Sequence, residues 1–208
     1  MLVDTPSLKA LFDKYKSDKS GTHGYHVMYQ LFCDTFRERA TAVFEMGIYW
    51  GASHHAWQDY FPEGTKIVAL DLLAECGERL RPGIVFVQGS QSDREILDRI
   101  IREYGPFDLI VDDASHFPVE QQASFDALWP AVKEGGLYVV EDVQMASSKP
   151  WRFNKPRHVT TDEVFRERVK KLMHFSGPTP GPAVTFYRNA IFIYKPVGYS
   201  NPWTISVK

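Results

Sequence analysis

Four acids stand in two adjacent pairs, Asp112-Asp113 and Glu141-Asp142, and His116 follows the first pair by three residues. Each pair closes a short apolar run, Phe107 to Asp113 and Leu137 to Asp142. If these runs are neighbouring strands of one sheet, their ends lie about 5 Å apart. Four carboxylates converging there repel one another unless a cation or a proton intervenes. Hard oxygen donors favour magnesium, with manganese or calcium as alternatives. An imidazole beside them, with an ordinary pKa of about 6.5, can take a proton from a hydroxyl at neutral pH. Aspartates that follow strands also serve as helix caps or salt-bridge partners, so that plainer role stands beside the metal one.

A second group precedes the acids. Ala42 to Gly47 is an apolar run that leads into Glu45-x-Gly47-x-x-x-Gly51, and Lys66 to Asp71 ends on another acid. Glycines at a strand-to-helix turn let a ligand approach the backbone. The spacing is neither the G-x-G-x-x-G of dinucleotide sites nor a phosphate loop with its Gly-Lys-Ser/Thr. A carboxylate at position 45 repels phosphate but pairs with an ammonium group. Asp71 can accept hydrogen bonds from both hydroxyls of a ribose. A ligand with an amino-acid part and a ribose, and without phosphate, is S-adenosylmethionine.

The elements that must carry these residues alternate along the chain. Five apolar runs begin near Ala42, Lys66, Ile84, Phe107 and Leu137, and Ala52–Tyr60, Asp93–Tyr104 and Val119–Val132 read as helices between them. Gly135-Gly136 reads as the end of a connection, and Ala183–Tyr187 with Ala190–Tyr194 reads as a hairpin turning at Arg188-Asn189. Met145–Pro156 and Ser176–Pro182 read as loops. Near-continuous apolar strands are those buried on both faces of a parallel sheet, which gives an α/β fold with its ligands at the carboxyl ends of the strands. With 208 residues, one domain is expected over 1–208: an N-terminal helical or lid segment over 1–39, a core over 40–195 and a tail over 196–208. The 24 lysines and arginines against 26 acids give a net charge of −2, which excludes nucleic-acid or membrane-surface binding by bulk charge. Two cysteines, Cys33 and Cys76, form no disulfide framework, and no signal peptide or spanning run is read, so a cytoplasmic location is expected.

With these motifs the sequence resembles the class I S-adenosylmethionine-dependent methyltransferases. It is most similar to the metal-dependent sugar O-methyltransferases of macrolide and other antibiotic pathways, and to the related cephalosporin-hydroxylase-like family. The resemblance rests on Glu45-x-Gly47-x-x-x-Gly51, Asp71, Gly89-Ser90-Gln91-Ser92-Asp93, Asp112-Asp113-Ala114-Ser115-His116, Glu141-Asp142-Val143-Gln144, and an N-terminal Asp18-Lys19-x-x-x-His23-x-Tyr25. It implies a Rossmann-like methyltransferase fold, with a mostly parallel seven-stranded sheet and a C-terminal antiparallel hairpin. It places S-adenosylmethionine on Glu45, Gly47, Tyr49, Gly51, Ser53, Asp71, Ser90, Gln91 and Asp112. It assigns Mg2+, or Mn2+, to Asp113, Glu141 and Asp142, and makes His116 the general base. Many methyltransferases carry a further glycine where this chain has Tyr49, so the turn is expected to be wider or to use the tyrosine side chain. The large antibiotic enzymes also carry an additional N-terminal domain that is not read here.

The resulting expectation is an O-methyltransferase acting on a sugar or vicinal-diol hydroxyl of a natural product, with a small-molecule acceptor, no nucleic acid, no membrane, and a homo-oligomer left open. A hydroxylase-like metalloenzyme of the same fold and a non-catalytic S-adenosylmethionine-binding module are the alternatives. His54 and His55 share a helix, so at most one faces the site; His23 and Tyr25 border the cofactor or substrate mouth in one reading. Phe44, Trp50, Trp57 and Trp129 are expected in the core. Trp151, Tyr199 and Trp203 lie in loop-like tracts, where they either stack on an acceptor ring or pack.

Overall fold

The computed structural model describes residues 6–144, 160–173 and 180–199. Strands β1 (Ala42–Met46), β2 (Lys66–Asp71), β3 (Ile84–Gln88), β4 (Phe107–Asp112) and β5 (Val132–Val140) pair in parallel. β6 (Ala183–Tyr187) and β7 (Ala190–Lys195) form the hairpin, and β7 runs antiparallel to β5. The order across the seven-stranded sheet is β3-β2-β1-β4-β5-β7-β6. The direction of winding therefore reverses between β1 and β4, which opens a crevice at their carboxyl ends.

Residue alternation fills both faces. Phe44, Met46, Val68, Leu70, Ile110, Tyr138 and Val140 meet Leu97 and Ile100 of α5 (Arg94–Tyr104), Phe125 and Leu128 of α6 (Pro118–Leu128), and Phe165 of α7 (Thr161–Met173). Val43, Ile67, Leu109, Val111, Leu137 and Val139 point the other way. They meet Leu8, Leu11 and Phe12 of α1 (Leu8–Tyr15), Tyr29 and Cys33 of α3 (His26–Cys33), and Ala56 and Trp57 of α4 (Ala52–Tyr60). Every residue of β1 and β4 is buried, so these strands are mostly apolar, and the acids inside them are paired: Glu45 with Lys19, and Asp108 with Lys133, whose Nζ lies 2.7 Å from Asp108 Oδ2. Between α1 and α3, the single turn α2 (Asp18–Gly21) projects toward the strand ends. α5 starts where Asp93 accepts the Glu95 and Ile96 amides, as its sequence predicts.

Three sequence expectations change. Gly135-Gly136 does not end a connection but lies inside β5, which starts at Val132. Gly135 has a φ of 74°, and a methyl group there would overlap the Arg39 guanidinium, whose Nη2 donates to the Gly135 carbonyl at 2.9 Å. The helix expected over Val119–Val132 gives way after Leu128 to a 3-10 turn over Trp129–Ala131. Trp50 is 63% exposed, while Trp57, Trp129 and Phe44 are in the core as expected. Tyr199 takes the packing role: its hydroxyl accepts from Trp129 Nε1 at 2.9 Å. Trp151, Trp203 and the Met145–Pro156 loop lie outside the described residues. Among the described residues, no helix is long and apolar enough to cross a membrane.

Candidate active site

The crevice at the strand ends is a cleft of 1260 Å³. Its walls are Gly47–Trp50 after β1, Asp71–Leu73 after β2, Gly89–Gln91 after β3, Asp113–Phe117 after β4, and Asp142 after β5, with Asp18 and Lys19 of α2 at one side. Three non-glycine residues on these walls adopt left-handed backbone: Tyr49 (φ 50°), His116 (φ 59°) and Asp142 (φ 53°). Such conformations cost free energy and persist where surrounding structure imposes them, as at ligand sites.

The β4 and β5 ends separate the four acids into two sets. Asp113 and Asp142 face the cleft with His116, and one ligand atom from each lies within 4.8 Å of the others. His116 Nε2 is 3.9 Å from Asp142 Oδ2, and its Nδ1 is buried with no hydrogen-bond partner among the described residues. Tyr25 donates its hydroxyl to Asp142 Oδ1 at 3.0 Å, and His23 stacks on Tyr25 with its Nδ1 3.7 Å from the same oxygen. Asp112 and Glu141 point into the protein, because successive residues at a strand end face opposite sides. Asp112 accepts from Gln91 Nε2 at 3.0 Å and from the Ser124 hydroxyl, and burial pushes its carboxyl up to about 7. Glu141 accepts from Lys19 Nζ at 2.8 Å and from the Tyr29 hydroxyl. Burial drives its carboxyl well above the ordinary value, against the pull of Lys19.

Lys19 supplies the cation that the clustered acids require. Its ammonium is 2.7 Å from Asp113 Oδ2, 2.8 Å from Glu141 Oε2 and 3.3 Å from Glu45 Oε1, and the side chain is 1% exposed. Burial opposes its charge, but the three carboxylates outweigh that and hold its pKa well above the lysine range.

On the opposite side, Glu45 does not reach the cleft. It is fully buried and accepts from the Ser53 hydroxyl at 2.9 Å and from Trp57 Nε1 at 2.6 Å, besides its ion pair with Lys19. Gly47 (φ 92°) is glycine because of the chain rather than a ligand: a methyl group there would overlap the Asp113 carbonyl. Gly51 (φ 75°) caps α4 and does not line the cleft. Asp71 lines the cleft while accepting the Ile48 amide at 2.9 Å and the Leu73 amide at 3.0 Å. Each oxygen keeps a lone pair for a further donor. Ser53 and Ser90 line the cleft, and Gln91 does so while accepting the Ser115 amide at 2.7 Å, which ties the β3 loop to the loop of His116. Tyr49 is 74% exposed, and Trp50 beside it carries the Arg79 guanidinium 4.6 Å above its ring. His54 is buried beside Ser53, and His55 Nε2 lies 3.1 Å from the Arg79 carbonyl oxygen.

The structure thus brings Gly47, Tyr49, Ser53, Asp71, Ser90, Gln91, Asp113, His116 and Asp142 to one cleft, and keeps Glu45, Gly51, Asp112 and Glu141 off its walls. Sequence reasoning quoted Lys19 only as part of a motif and gave Tyr29 no role. The signal available was electrostatic: a cluster of acids demands a cation, and a lysine can be that cation.

No family model matches the chain. It is 38% identical over 150 residues, 68% of its length, to mycinamicin VI 2''-O-methyltransferase of Micromonospora griseorubida, covering 37% of that protein. It is 31% identical over 218 residues, 92% of its length, to demethylmacrocin O-methyltransferase of Streptomyces fradiae, covering 54% of it. The chain therefore spans about half or less of the length of these curated relatives. Among solved structures it superposes on the MycE methyltransferase of the mycinamycin pathway, in complex with Mg, SAH and mycinamycin VI. There the TM-score is 0.82 and the identity 28%, over 99% of this chain and 58% of that one. An O-methyltransferase from Bacillus cereus in complex with SAH aligns over 94% of this chain and 93% of its own at a TM-score of 0.55 and 16% identity, which shows the fold alone.

Proposed function

This chain has the Rossmann-like methyltransferase fold and is homologous to sugar O-methyltransferases of antibiotic biosynthesis, and from that premise we propose that it is a metal-dependent O-methyltransferase acting on a sugar or vicinal-diol hydroxyl of a natural product. The observation that carries this reading is one cleft with Asp71 on one wall and Asp113, His116 and Asp142 on another. At 1260 Å³ it exceeds the roughly 300–1,000 Å³ of a one-ligand pocket, which leaves room for a cofactor and an acceptor together.

The residues present fit both groups. Asp113 and Asp142 are hard oxygen donors that converge, and the unpartnered Nδ1 of His116 marks a site short of one polar contact. Asp113 and Asp142 would hold a divalent ion there, and its positive charge would lower the pKa of an acceptor hydroxyl. S-adenosylmethionine supplies the methyl group. Asp71 accepts from the ribose hydroxyls, and Ser90 and Gln91 border the nucleoside from the β3 loop. Leu72 and Leu73 are 67% and 51% exposed on the cleft wall and offer an apolar surface for a base. His116 accepts the acceptor's proton.

A second role for His116 has its own support, because its nitrogen falls within the same 4.8 Å group as the two acids and so can serve as a third ligand. One histidine with two carboxylates is not the two-histidine, one-carboxylate set of non-heme iron oxygenases, so the donor chemistry favours methyl transfer over hydroxylation. The test is calorimetric titration of the protein with S-adenosylhomocysteine, with and without magnesium. Transfer of labelled methyl groups from S-adenosylmethionine to a panel of glycosylated natural products is followed in parallel. Binding near −8 kcal/mol, a micromolar dissociation constant, is expected. Turnover should stop on chelation and return with magnesium. Binding without turnover on any acceptor would favour a non-catalytic module, and no heat at millimolar ligand would reject the cofactor assignment.

A further inference from the structure

We propose that Arg79 is a positioning residue of the turn after β1: its side chain holds Tyr49 in left-handed backbone, and so presets the half of the cleft that takes S-adenosylmethionine. The proposal rests on the reading of that half as the cofactor site. Tyr49 has a φ of 50°, a conformation that glycine takes freely and a tyrosine takes only at a cost. Tyr49 is 74% exposed, so packing of its ring does not impose the conformation. Something else on the cleft wall must hold it.

The hold is on the backbone, and it comes from the segment that follows β2. Asp71 Oδ2 accepts the Ile48 amide at 2.9 Å, and the Gly51 amide closes the turn on the Ile48 carbonyl at 2.7 Å. Arg79 Nη1 donates to the Tyr49 carbonyl, and the guanidinium lies 4.6 Å above the Trp50 ring. Arg79 is anchored in turn. It is the last residue of the 3-10 turn Ala74–Arg79, and its Nη1 also lies 3.6 Å from Cys76 Sγ in that turn. Its carbonyl accepts from His55 Nε2 of α4 at 3.1 Å. A methyl group on Gly51 would come 3.2 Å from the same carbonyl, so the two segments touch. The chain that presents Asp71 to a ribose therefore grips the β1 turn twice, at the Ile48 amide and at the Tyr49 carbonyl. Without Arg79 the first tie stays and the second is lost, and Tyr49 relaxes toward ordinary backbone. A ligand must then restore the strained turn on binding, and its affinity falls by that cost.

The experiment titrates wild type, Arg79→Ala, Tyr49→Gly and the double variant with S-adenosylhomocysteine in a calorimeter. In the Tyr49 background, Arg79→Ala is expected to weaken binding about fivefold, the equivalent of one left-handed non-glycine residue. In the Tyr49→Gly background the same change should cost less than about twofold, because glycine needs nothing to hold it there. An arginine that touched the ligand itself would cost the same in both backgrounds. That result overturns the proposal, as does unchanged affinity in Arg79→Ala. A second arm needs no ligand. Amide hydrogen exchange at Gly51 should be at least about fivefold faster in Arg79→Ala than in wild type, while the Ile110 and Val111 amides of β4 keep their rates. Equal exchange at Gly51, or an acceleration shared by β4, overturns the proposal, since the latter is a loss of overall stability. Absence of S-adenosylhomocysteine binding in every protein would reject the cofactor reading, and exchange at Gly51 would then decide whether Arg79 holds the turn.

Discussion

Replacing Gly47 with alanine should damage both the fold and the cleft, and a matched control can separate the causes. Gly47 has a φ of 92°, a conformation that costs a non-glycine residue about 1 kcal/mol. A methyl group there would also overlap the Asp113 carbonyl, whose own residue is pinned by the Asp113 amide donating to the Met46 carbonyl at 3.0 Å. Relieving that overlap means moving backbone in a packed interior, which costs about 1–3 kcal/mol. The expected loss is therefore about 2–4 kcal/mol, or about 5–15 °C in Tm for a chain of this size. Gly64 has a φ of 90° with nothing within 4 Å of the added carbon, so Gly64→Ala carries the backbone term alone and should lose about 1 kcal/mol. Urea denaturation at constant slope gives both numbers. Because the displaced atom belongs to Asp113, Gly47→Ala should also lose at least tenfold in manganese affinity, while Gly64→Ala should not. Equal stability losses in the two variants, or a Gly47→Ala loss below about 0.5 kcal/mol, would refute the steric argument.

Other outcomes follow from the same geometry. Asp71→Ala should weaken S-adenosylhomocysteine binding by about 1.5–3 kcal/mol in calorimetry, the scale of hydrogen bonds to a charged group, and an unchanged affinity would remove Asp71 from the cofactor wall. His116→Ala should lower kcat by about 10²–10⁴ while manganese affinity holds within threefold; loss of the metal instead would make it a ligand rather than a base. Partial burial raises the Asp59 carboxyl, but hydrogen bonds from Arg81, Lys14 and Tyr15 outweigh it and hold the group well below the usual carboxylate range. A depressed acid stabilises the fold above its unfolded pKa of about 4 and loses that contribution as pH falls through the folded value. Asp59→Asn should therefore shift the urea midpoint at pH 7 much more than at pH 2, and equal shifts would contradict the ion-pair account.

The parallel strands were legible because burial on both faces keeps their inner positions mostly apolar, and the acids at their ends marked where the cleft opens. The hairpin was legible from two apolar runs around Arg188-Asn189. What pairs of adjacent acids hid was direction. Asp112 and Asp113, like Glu141 and Asp142, are consecutive at strand ends, so one of each pair faces the cleft and the other turns inward. That alternation was available in the sequence and argues against four converging carboxylates. The partner of the inward acids was not available, since Lys19 reaches Glu141 across 122 positions and no local pattern encodes such a contact. Gly135-Gly136 misled because a glycine pair reads as a turn, whereas here it admits Arg39 against β5.

The antiparallel placement of β7 has a consequence for synthesis on the ribosome. Because β7 enters the sheet from the end where the parallel strands exit, the hairpin tip lies over the β5 loop, and the Val143 amide donates to the Asn189 carbonyl at 3.0 Å beside Asp142. Arg188 at the same tip also lies against Gly24. The emerging polypeptide can pair β1 to β5 early, but the wall bearing Asp142 lacks this buttress until the hairpin has left the exit tunnel. Lys19, made near the start, waits for partners 94 and 122 positions later. Such long-range closures are slow steps. A nascent chain stalled before Ala183 should therefore expose a formed sheet edge at β5, ready to recruit a chaperone or to pair with another chain.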